Sequence, residues 1–428
     1  MTEQPLNPYL SHYACAVCGQ AFALDSVTYT CPTCGPVGTL DMLYDYARLG
    51  AALRPADISA KTAPQQFNMW RYGPLLPITD PAVMPPLHVG WTPLIPAPRL
   101  AAAYGLGEVW LKDDGRNPTA SLKDRASAMV VARATQISAP VVTTASTGNA
   151  AAALAGLCAS IGLRAVIFVP AKAPAAKIAQ LLVYGATVLL VDGTYDDAYA
   201  LSVQAAAEYG WYCRNTGMNP YTTEGKKTAA LETVEQLGWR APDVMIVSVG
   251  DGNIIAGQYK GFYDLYQLGW IDRMPRLIGV QAAGSANLVH AWQNHIPAEA
   301  MQPGPSDTIA DSISAGLPSD RAKGLRAVNA TGGVYVSVTD AEILAAIPAL
   351  ARGSGVFAEP ACAAALAGLT KARESGAVRH GESVVLLITG NGLKDIKGAM
   401  ASIEGEGGLP IGREMSAVRE ATKRLGLG

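Results

Sequence analysis

A chain of 428 residues is too long for one ordinary domain and points to two or three. Half of its residues are hydrophobic and 16% are charged, so it can bury large cores, which excludes a largely disordered chain. A formal net charge of −2 gives no electrostatic reason to expect nucleic acid or an anionic membrane surface as partner.

The N-terminus, MTEQPLNPYL, is polar and lacks the basic and apolar regions of a secretory signal, so a soluble, cytoplasmic protein is expected. Four of the seven cysteines follow within the first 34 residues, in 15-CAVCG-19 and 31-CPTCG-35. Two Cys-x-x-Cys-Gly knuckles separated by twelve residues fit a zinc site built from Cys15, Cys18, Cys31 and Cys34. Four protein ligands leave no open position for a substrate, so the ion would be structural, and so small a segment needs such a staple. The other reading is a pair of reducible disulfides, which a reducing compartment disfavours. Cys158, Cys213 and Cys362 stand alone among apolar residues and read as inert core positions.

Residues 36–95 are rich in proline and aromatic residues without clean periodicity and read as an irregular arm. A loop then runs into a helix through 117-NPTASLKDRA-126, where Lys123 is either a surface charge or a functional amine. Apolar, β-branched runs at 140–145, 164–170 and 186–192 alternate with helical patterns at 149–161, 174–184 and 195–209, and 211–215 is a short further strand. The longest apolar stretch, 150–162, is too short to span a bilayer and reads as a buried helix. The alternation resumes with helix 223–237, strand 243–250, helix 254–268, strand 276–282, strand 333–338, helices 340–352 and 360–374, and strand 382–389. This is the signature of right-handed βαβ units, hence an α/β protein with two open twisted sheets and a ligand cleft between them.

Ligands in such sheets bind beyond the carboxyl ends of the strands, where three loops of unusual composition stand. The loop 250-GDGNI-254 opens a helix and could cradle a phosphate on unpaired N–H groups, although a glycine turn often does no more than turn the chain. The loop 145-ASTGNA-150 offers Ser146, Thr147 and Asn149 either as helix caps or as donors to a carboxylate or phenolate. Thr389 begins 389-TGNG-392 and either meets a polar ligand atom or closes the turn. The five histidines are scattered and read as structural or surface residues, and no Ser/His/Asp set is legible.

Taken in order, these elements resemble the fold-type-II pyridoxal-phosphate enzymes, and among them the threonine synthase family. The family pattern Asn-Pro-Thr-Gly-Ser-Phe-Lys-Asp-Arg stands here as 117-NPTASLKDR-125, its Ser/Thr-Gly-Asn loop as 146-STGN-149, its phosphate loop as 249-VGDGNI-254 and its closing motif as 389-TGNGLKD-395. Lesser matches are 219-NPYTTEGKKT-228 and 358-AEPACAAALAGL-369.

The resemblance implies that Lys123 carries pyridoxal phosphate covalently and then serves as general base, a task lysine suits because burial or a nearby cation lowers its pKa. It implies that Asn149 bonds the cofactor's ring hydroxyl, that Gly250, Asp251, Gly252, Asn253 and Ile254 hold its phosphate, and that Thr389 meets its pyridine nitrogen. Substrate contacts fall on Ser146, Thr147, Ala150, Thr119 and Asn219. The implied reaction converts O-phospho-L-homoserine and water into L-threonine and phosphate. The implied arrangement is a zinc-ribbon-like segment at 1–40, an arm and the start of the large domain at 41–130, a small α/β domain at 131–220, and the rest of the large domain at 221–428. A homodimer is the expected assembly.

The chain departs from the family at Ala150, where many members have threonine, at Thr222, where they have arginine, at Asn391 for histidine, and at Cys362 for serine. The first two remove a hydroxyl and a guanidinium from the substrate side. Lys226 and Lys227 could supply an anion pocket or be solvated helix lysines. Two alternatives therefore stand beside threonine synthesis: a β-elimination or β-replacement enzyme, such as a threonine/serine dehydratase or a cysteate-synthase-like enzyme, and a non-catalytic binding protein with a vestigial cofactor site.

Overall fold

The computed structural model describes residues 6–59, 66–173, 175–403, 405 and 407–427. Residues 1–5 of the polar N-terminus, 60–65 of the arm and Pro174, at the start of the expected helix 174–184, lie outside the described residues. Thirteen strands form three sheets among the described residues. The first is a small antiparallel sheet of β1 (Leu10–Cys15), β2 (Ala21–Phe22) and β3 (Leu40–Tyr44), with β1 in the middle. The expected boundary at residue 40 thus falls at the start of β3. Residues 40–44 belong to the cysteine-rich unit rather than to an irregular arm, because β3 pairs antiparallel with β1 from Leu10↔Tyr44 to Cys15↔Leu40.

The large sheet contains β4 (Leu94–Pro96), β5 (Glu108–Asp113), β10 (Val244–Ser248), β11 (Arg276–Ala282), β12 (Val334–Val338) and β13 (Ser383–Ile388). Its order is β12-β11-β10-β13-β5-β4, parallel throughout except for the antiparallel edge strand β4. The four-stranded sheet runs β8-β7-β6-β9, all parallel, with β6 at Val141–Ala145, β7 at Arg164–Pro170, β8 at Thr187–Val191 and β9 at Tyr212–Cys213.

Strands covered on both faces need apolar residues at every position, which is why these runs are continuous rather than alternating. In β10, Met245 and Val247 enter one core while Val244 and Ile246 enter the other. β13 does the same with Val385 and Leu387 on one side and Val384, Leu386 and Ile388 on the other. The expected strands and helices from residue 141 onward are all present, with ends moved by a few residues. The strands β4 and β5 were not expected. β5 is the one that matters for the site, since it pairs with β13 along its whole length and delivers the chain to 117–126.

Candidate active site

Four loops leave the carboxyl ends of β5, β6, β10 and β13, and they carry the four sequence motifs. The loop after β5 is stitched to the loop after β13. Leu122 N donates to the Thr389 carbonyl at 2.9 Å, Asn391 N donates to the Ala120 carbonyl at 3.1 Å, and Ser121 and Gly390 form a β-bridge. Helix Lys123–Gln136 begins at this stitch with Lys123 as its first residue.

The two residues after Lys123 explain why the helix starts there. The Asp124 carboxylate accepts from both the backbone N (2.8 Å) and the hydroxyl (2.5 Å) of Thr119, folding the preceding loop back onto the helix. Arg125 is fully buried and reaches Asp114 at 2.7 Å and Glu232 at 2.5 Å, while Lys112 bonds the same Glu232 at 2.7 Å. These charges lock the start of the helix to β5 and to helix Tyr221–Gln236. Lys123 itself is half-buried, and burial, reinforced by the Arg214 guanidinium, lowers its amine below the usual lysine range. A lysine so placed is a better nucleophile and base than a solvated one.

Asn149 opens helix Asn149–Ile161, and its carboxamide donates to both oxygens of Glu359, at 2.9 and 3.2 Å. Glu359 is buried at the head of helix Pro360–Glu374, and burial raises its carboxyl pKa against the opposing pull of Asn149 and Lys123. The Thr389 hydroxyl lies 3.1 Å from the Cys362 sulfur, whose thiol burial and Glu359 push well above its ordinary value. Cys362 is fully buried in the core, as expected of it, and its thiol also borders Thr389.

The phosphate-type loop 250–254 opens helix Asn253–Gln267, capped by Gly252 with φ of 91° and with no side-chain cap on its first turn. A Cβ at Gly252 would lie 2.8 Å from the Asp320 carbonyl oxygen, and one at Gly250 would lie 2.9 Å from the Ile313 Cα, so both positions require glycine. Asp251 fixes the loop, its carboxylate accepting from Ser319 N at 3.1 Å and its carbonyl from Asp320 N at 2.8 Å. Ile254 is buried beneath the loop. The Asn253 carboxamide donates to Asp320 (2.6 Å) and Thr223 (2.9 Å) and accepts from Lys226.

Asp320 also accepts from the Thr39 hydroxyl at 2.6 Å, so a direct hydrogen-bonded chain joins the cysteine-rich unit to this loop. In that unit the four sulfurs of Cys15, Cys18, Cys31 and Cys34 all lie within 4.8 Å of one another, and all are free thiols. Cys18 and Cys31 sulfurs are 3.9 Å apart, in hydrogen-bond contact and not joined as a disulfide. Gly38 passes so near that a Cβ there would meet the Cys34 Cβ at 2.6 Å and the Cys31 Cβ at 2.8 Å.

The remaining candidates are more varied. Ser146 accepts from Gly148 N at 3.2 Å, and Ser146, Thr147 and Ala150 are all half-buried at the same loop. Thr119 is buried with its hydroxyl on Asp124, and Asn219 holds the Cys213 carbonyl (2.8 Å) while capping Tyr221 N (3.0 Å). Lys226 and Lys227 are both fully buried, which overturns their reading as solvated helix lysines. Lys227 is neutralised by Glu224 at 2.5 Å and Asp264 at 2.7 Å, whereas Lys226 turns toward Asn253. Sequence reasoning missed Glu359, Asp320 and Arg214. Glu359 stands in a segment matched to the family pattern, Arg214 is the first charged residue after a short apolar strand, and Asp320 carries no local signal.

The fold and this set of loops define a class. Residues 86–390 match the family model described as pyridoxal-phosphate-dependent enzyme, and the chain belongs to that family. It is 36% identical over 412 residues to the threonine synthase of Methanocaldococcus jannaschii, covering 96% of this chain and 99% of that one. The threonine synthase of Synechocystis is 42% identical over 326 residues, covering 76% of this chain and 82% of its own length. Within the wider family the chain is thus a member of the threonine synthases. Solved structures with the same fold include diaminopropionate ammonia lyase from Escherichia coli, with a TM-score of 0.63 and 19% identity over 74% of this chain and 88% of that one. Tomato threonine deaminase isoform 2 superposes with a TM-score of 0.60 and 21% identity, over 79% and 84% of the respective chains.

Pyridoxal phosphate fits the residues present. A helix start free of side-chain caps meets two obligatory glycines, a lysine whose pKa is lowered heads a neighbouring helix, and the buried hydroxyls of Ser121 and Ser248 have no hydrogen-bond partner among the described residues. Such orphaned donors and N–H groups suit a phosphate-bearing polar ligand.

Proposed function

We propose that this chain is a pyridoxal-phosphate-dependent threonine synthase that converts O-phospho-L-homoserine and water to L-threonine and phosphate. The observation that carries the reading is near full-length similarity to threonine synthases joined to an intact lysine, phosphate loop and closing threonine at the carboxyl ends of one set of strands. When bound, the cofactor withdraws electrons from the substrate's α-carbon so that its proton can leave. Lys123 is the residue that takes and returns protons, a role supported by its lowered pKa.

In this reading Asn149 orients the ring hydroxyl, the backbone of 250–254 holds the cofactor's phosphate, and Thr389 faces the ring nitrogen. A neutral hydroxyl at that nitrogen does not enforce its protonation, which suits elimination and replacement over transamination. Ser146, Thr147 and the N–H groups around Ala150 face the substrate carboxylate. Thr119 and Asn219 act by shaping the loops that bear Lys123 and helix Tyr221–Gln236, since their own polar groups are engaged within the protein. Over the reaction the γ-carbon loses phosphate and gains a proton, while the β-carbon exchanges one of its protons for the hydroxyl of water, whose other proton leaves with the phosphate.

The cysteine cluster is read as a structural zinc ribbon with tetrahedral thiolate ligation, supported by the sulfur spacing and the close passage of Gly38. A cytoplasmic homodimer completes the proposal. Among the described residues no helix is long and apolar enough to cross a membrane. The test is a substrate panel with the yellow holoprotein. Equimolar threonine and phosphate from O-phosphohomoserine supports the reading. A 2-oxo acid from threonine or serine, without phosphate release, would replace it with a dehydratase.

A further inference from the structure

A threonine synthase must hold two phosphates at once, that of its cofactor and that of its substrate. The helix start at 250–254 serves one. The family's arginine for the other is absent, and Thr222, which stands in its place, turns its hydroxyl back to the Asn219 carbonyl at 2.7 Å. Two other cations are buried nearby with no carboxylate in ion-pair contact among the described residues. Arg214 follows β9 directly and is fully buried. Its Nε donates to the Ser127 hydroxyl at 3.1 Å and its Nη1 to the Thr216 hydroxyl at 2.8 Å, while its Nη2 is buried with no partner. Lys226, also fully buried, is hydrogen-bonded to the neutral carboxamide of Asn253.

Other buried cations of this protein are treated differently. Lys112, Arg125 and Lys227 each contact at least one buried carboxylate, but no ion pair to Arg214 or Lys226 is present among the described residues. Asp251 acts on both and Asp320 on Lys226 without forming an ion pair; a buried cation with no counter-charge in contact is costly, so a contacting anion is the missing partner. Lys123, Lys226 and Arg214 also repel one another closely enough to lower the lysine pKa values, beyond the effect of burial, so they share one region. Their common neighbourhood suits a doubly charged group.

Position decides which phosphate this is. Arg214 stands at the carboxyl end of β9, beside β6, whose own carboxyl end carries the substrate-facing loop 146–149. Its N–H holds the Thr143 carbonyl at 2.8 Å, and Asn215 next to it braces Thr144 and Ala145 at 2.9 Å. The cofactor-phosphate loop belongs to the other sheet, after β10, and Lys226 goes with that loop through its bond to Asn253. We propose that Arg214 receives the phosphate of the substrate and is the specificity-determining residue that replaces the missing arginine at position 222. The inference rests on the threonine synthase reading and names the residue that selects its phosphorylated substrate.

The experiment compares wild-type holoenzyme with Arg214→Met, Arg214→Lys and Arg214→Gln in three measurements: KM and kcat for O-phosphohomoserine, binding of inorganic phosphate by calorimetry, and cofactor retained after dialysis. Removing one member of a buried charge pair costs enough to raise KM about 30-fold or more. That rise is expected for Arg214→Met together with loss of inorganic phosphate binding, unchanged cofactor content, and an intermediate value for Arg214→Lys. If Arg214→Met does not fold, Arg214→Lys and Arg214→Gln carry the comparison through the same readouts. A KM within twofold of wild type, or cofactor loss at unchanged KM, overturns the inference. Wild-type protein that binds inorganic phosphate but releases none from O-phosphohomoserine overturns the function reading instead, so the two failures are distinguishable.

Discussion

The buried charges behind Lys123 allow a quantitative test of how the helix start is held. Glu232 is wholly buried, and burial alone would raise its pKa. The Arg125 guanidinium and then the Lys112 ammonium override that and hold it down at about 2, against an ordinary 4.5. At ~1.4 kcal/mol per unit the lowering corresponds to about 3 kcal/mol of stability from this one carboxylate. The group's pKa is depressed in the fold, so this contribution is present above pH 4.5 and is lost as pH falls towards 2. Replacing Arg125 by methionine keeps much of the volume but leaves Asp114 and Glu232 facing each other with Lys112 as the nearby cation. Breaking a buried pair from one side costs about 3–5 kcal/mol. Urea unfolding of Arg125→Met should show a loss of that size at pH 7 and a smaller one at pH 5, because the uncompensated acids can then take up a proton. A loss below about 1 kcal/mol, or one independent of pH, would refute the claim that this network anchors the lysine-bearing helix.

Other expectations follow from the same contacts. Thr39→Val removes the hydroxyl that Asp320 accepts and should weaken cofactor binding roughly tenfold, read by equilibrium dialysis of pyridoxal phosphate, since a bond to a buried charged group contributes about 1.5–3 kcal/mol. Gly252→Ala forces a side chain into left-handed backbone and against the Asp320 carbonyl, and should yield folded protein with little retained cofactor, read from its visible absorbance. Cys31→Ser should abolish binding of one zinc per chain, measured by metal analysis, and lower the unfolding midpoint. A zinc content unchanged from wild type would sink the ribbon assignment.

Much of the site was legible because its chemistry is local. The loops 146–149, 250–254 and 389–392 each follow a fully buried strand, whose continuous apolar run marks the strand's end in the sequence as it does in the fold. β5 was hidden for the opposite reason. Its buried Lys112 and Asp113 break the apolar pattern, and their compensation by Glu232 and Arg116 comes from outside the strand. Of the two readings open for Lys226 and Lys227, the solvated one fails on the same ground, since a helix with this many charges resembles a solvated face until the elements packed around it are placed. Asp320, Glu359 and Arg214 are brought to the site by tertiary packing, and nothing within a few residues of the first announces it.

The central claim is that Lys123 works on a phosphorylated amino acid. The most direct measurement gives O-phosphohomoserine to the holoprotein and to Lys123→Ala, following threonine and phosphate together. Wild type should release the two in equal amounts and the variant neither, with borohydride fixing the cofactor to the protein only where Lys123 is present. Equal turnover by the variant, or wild-type protein that makes 2-oxo acid from threonine or serine and frees no phosphate, would contradict it.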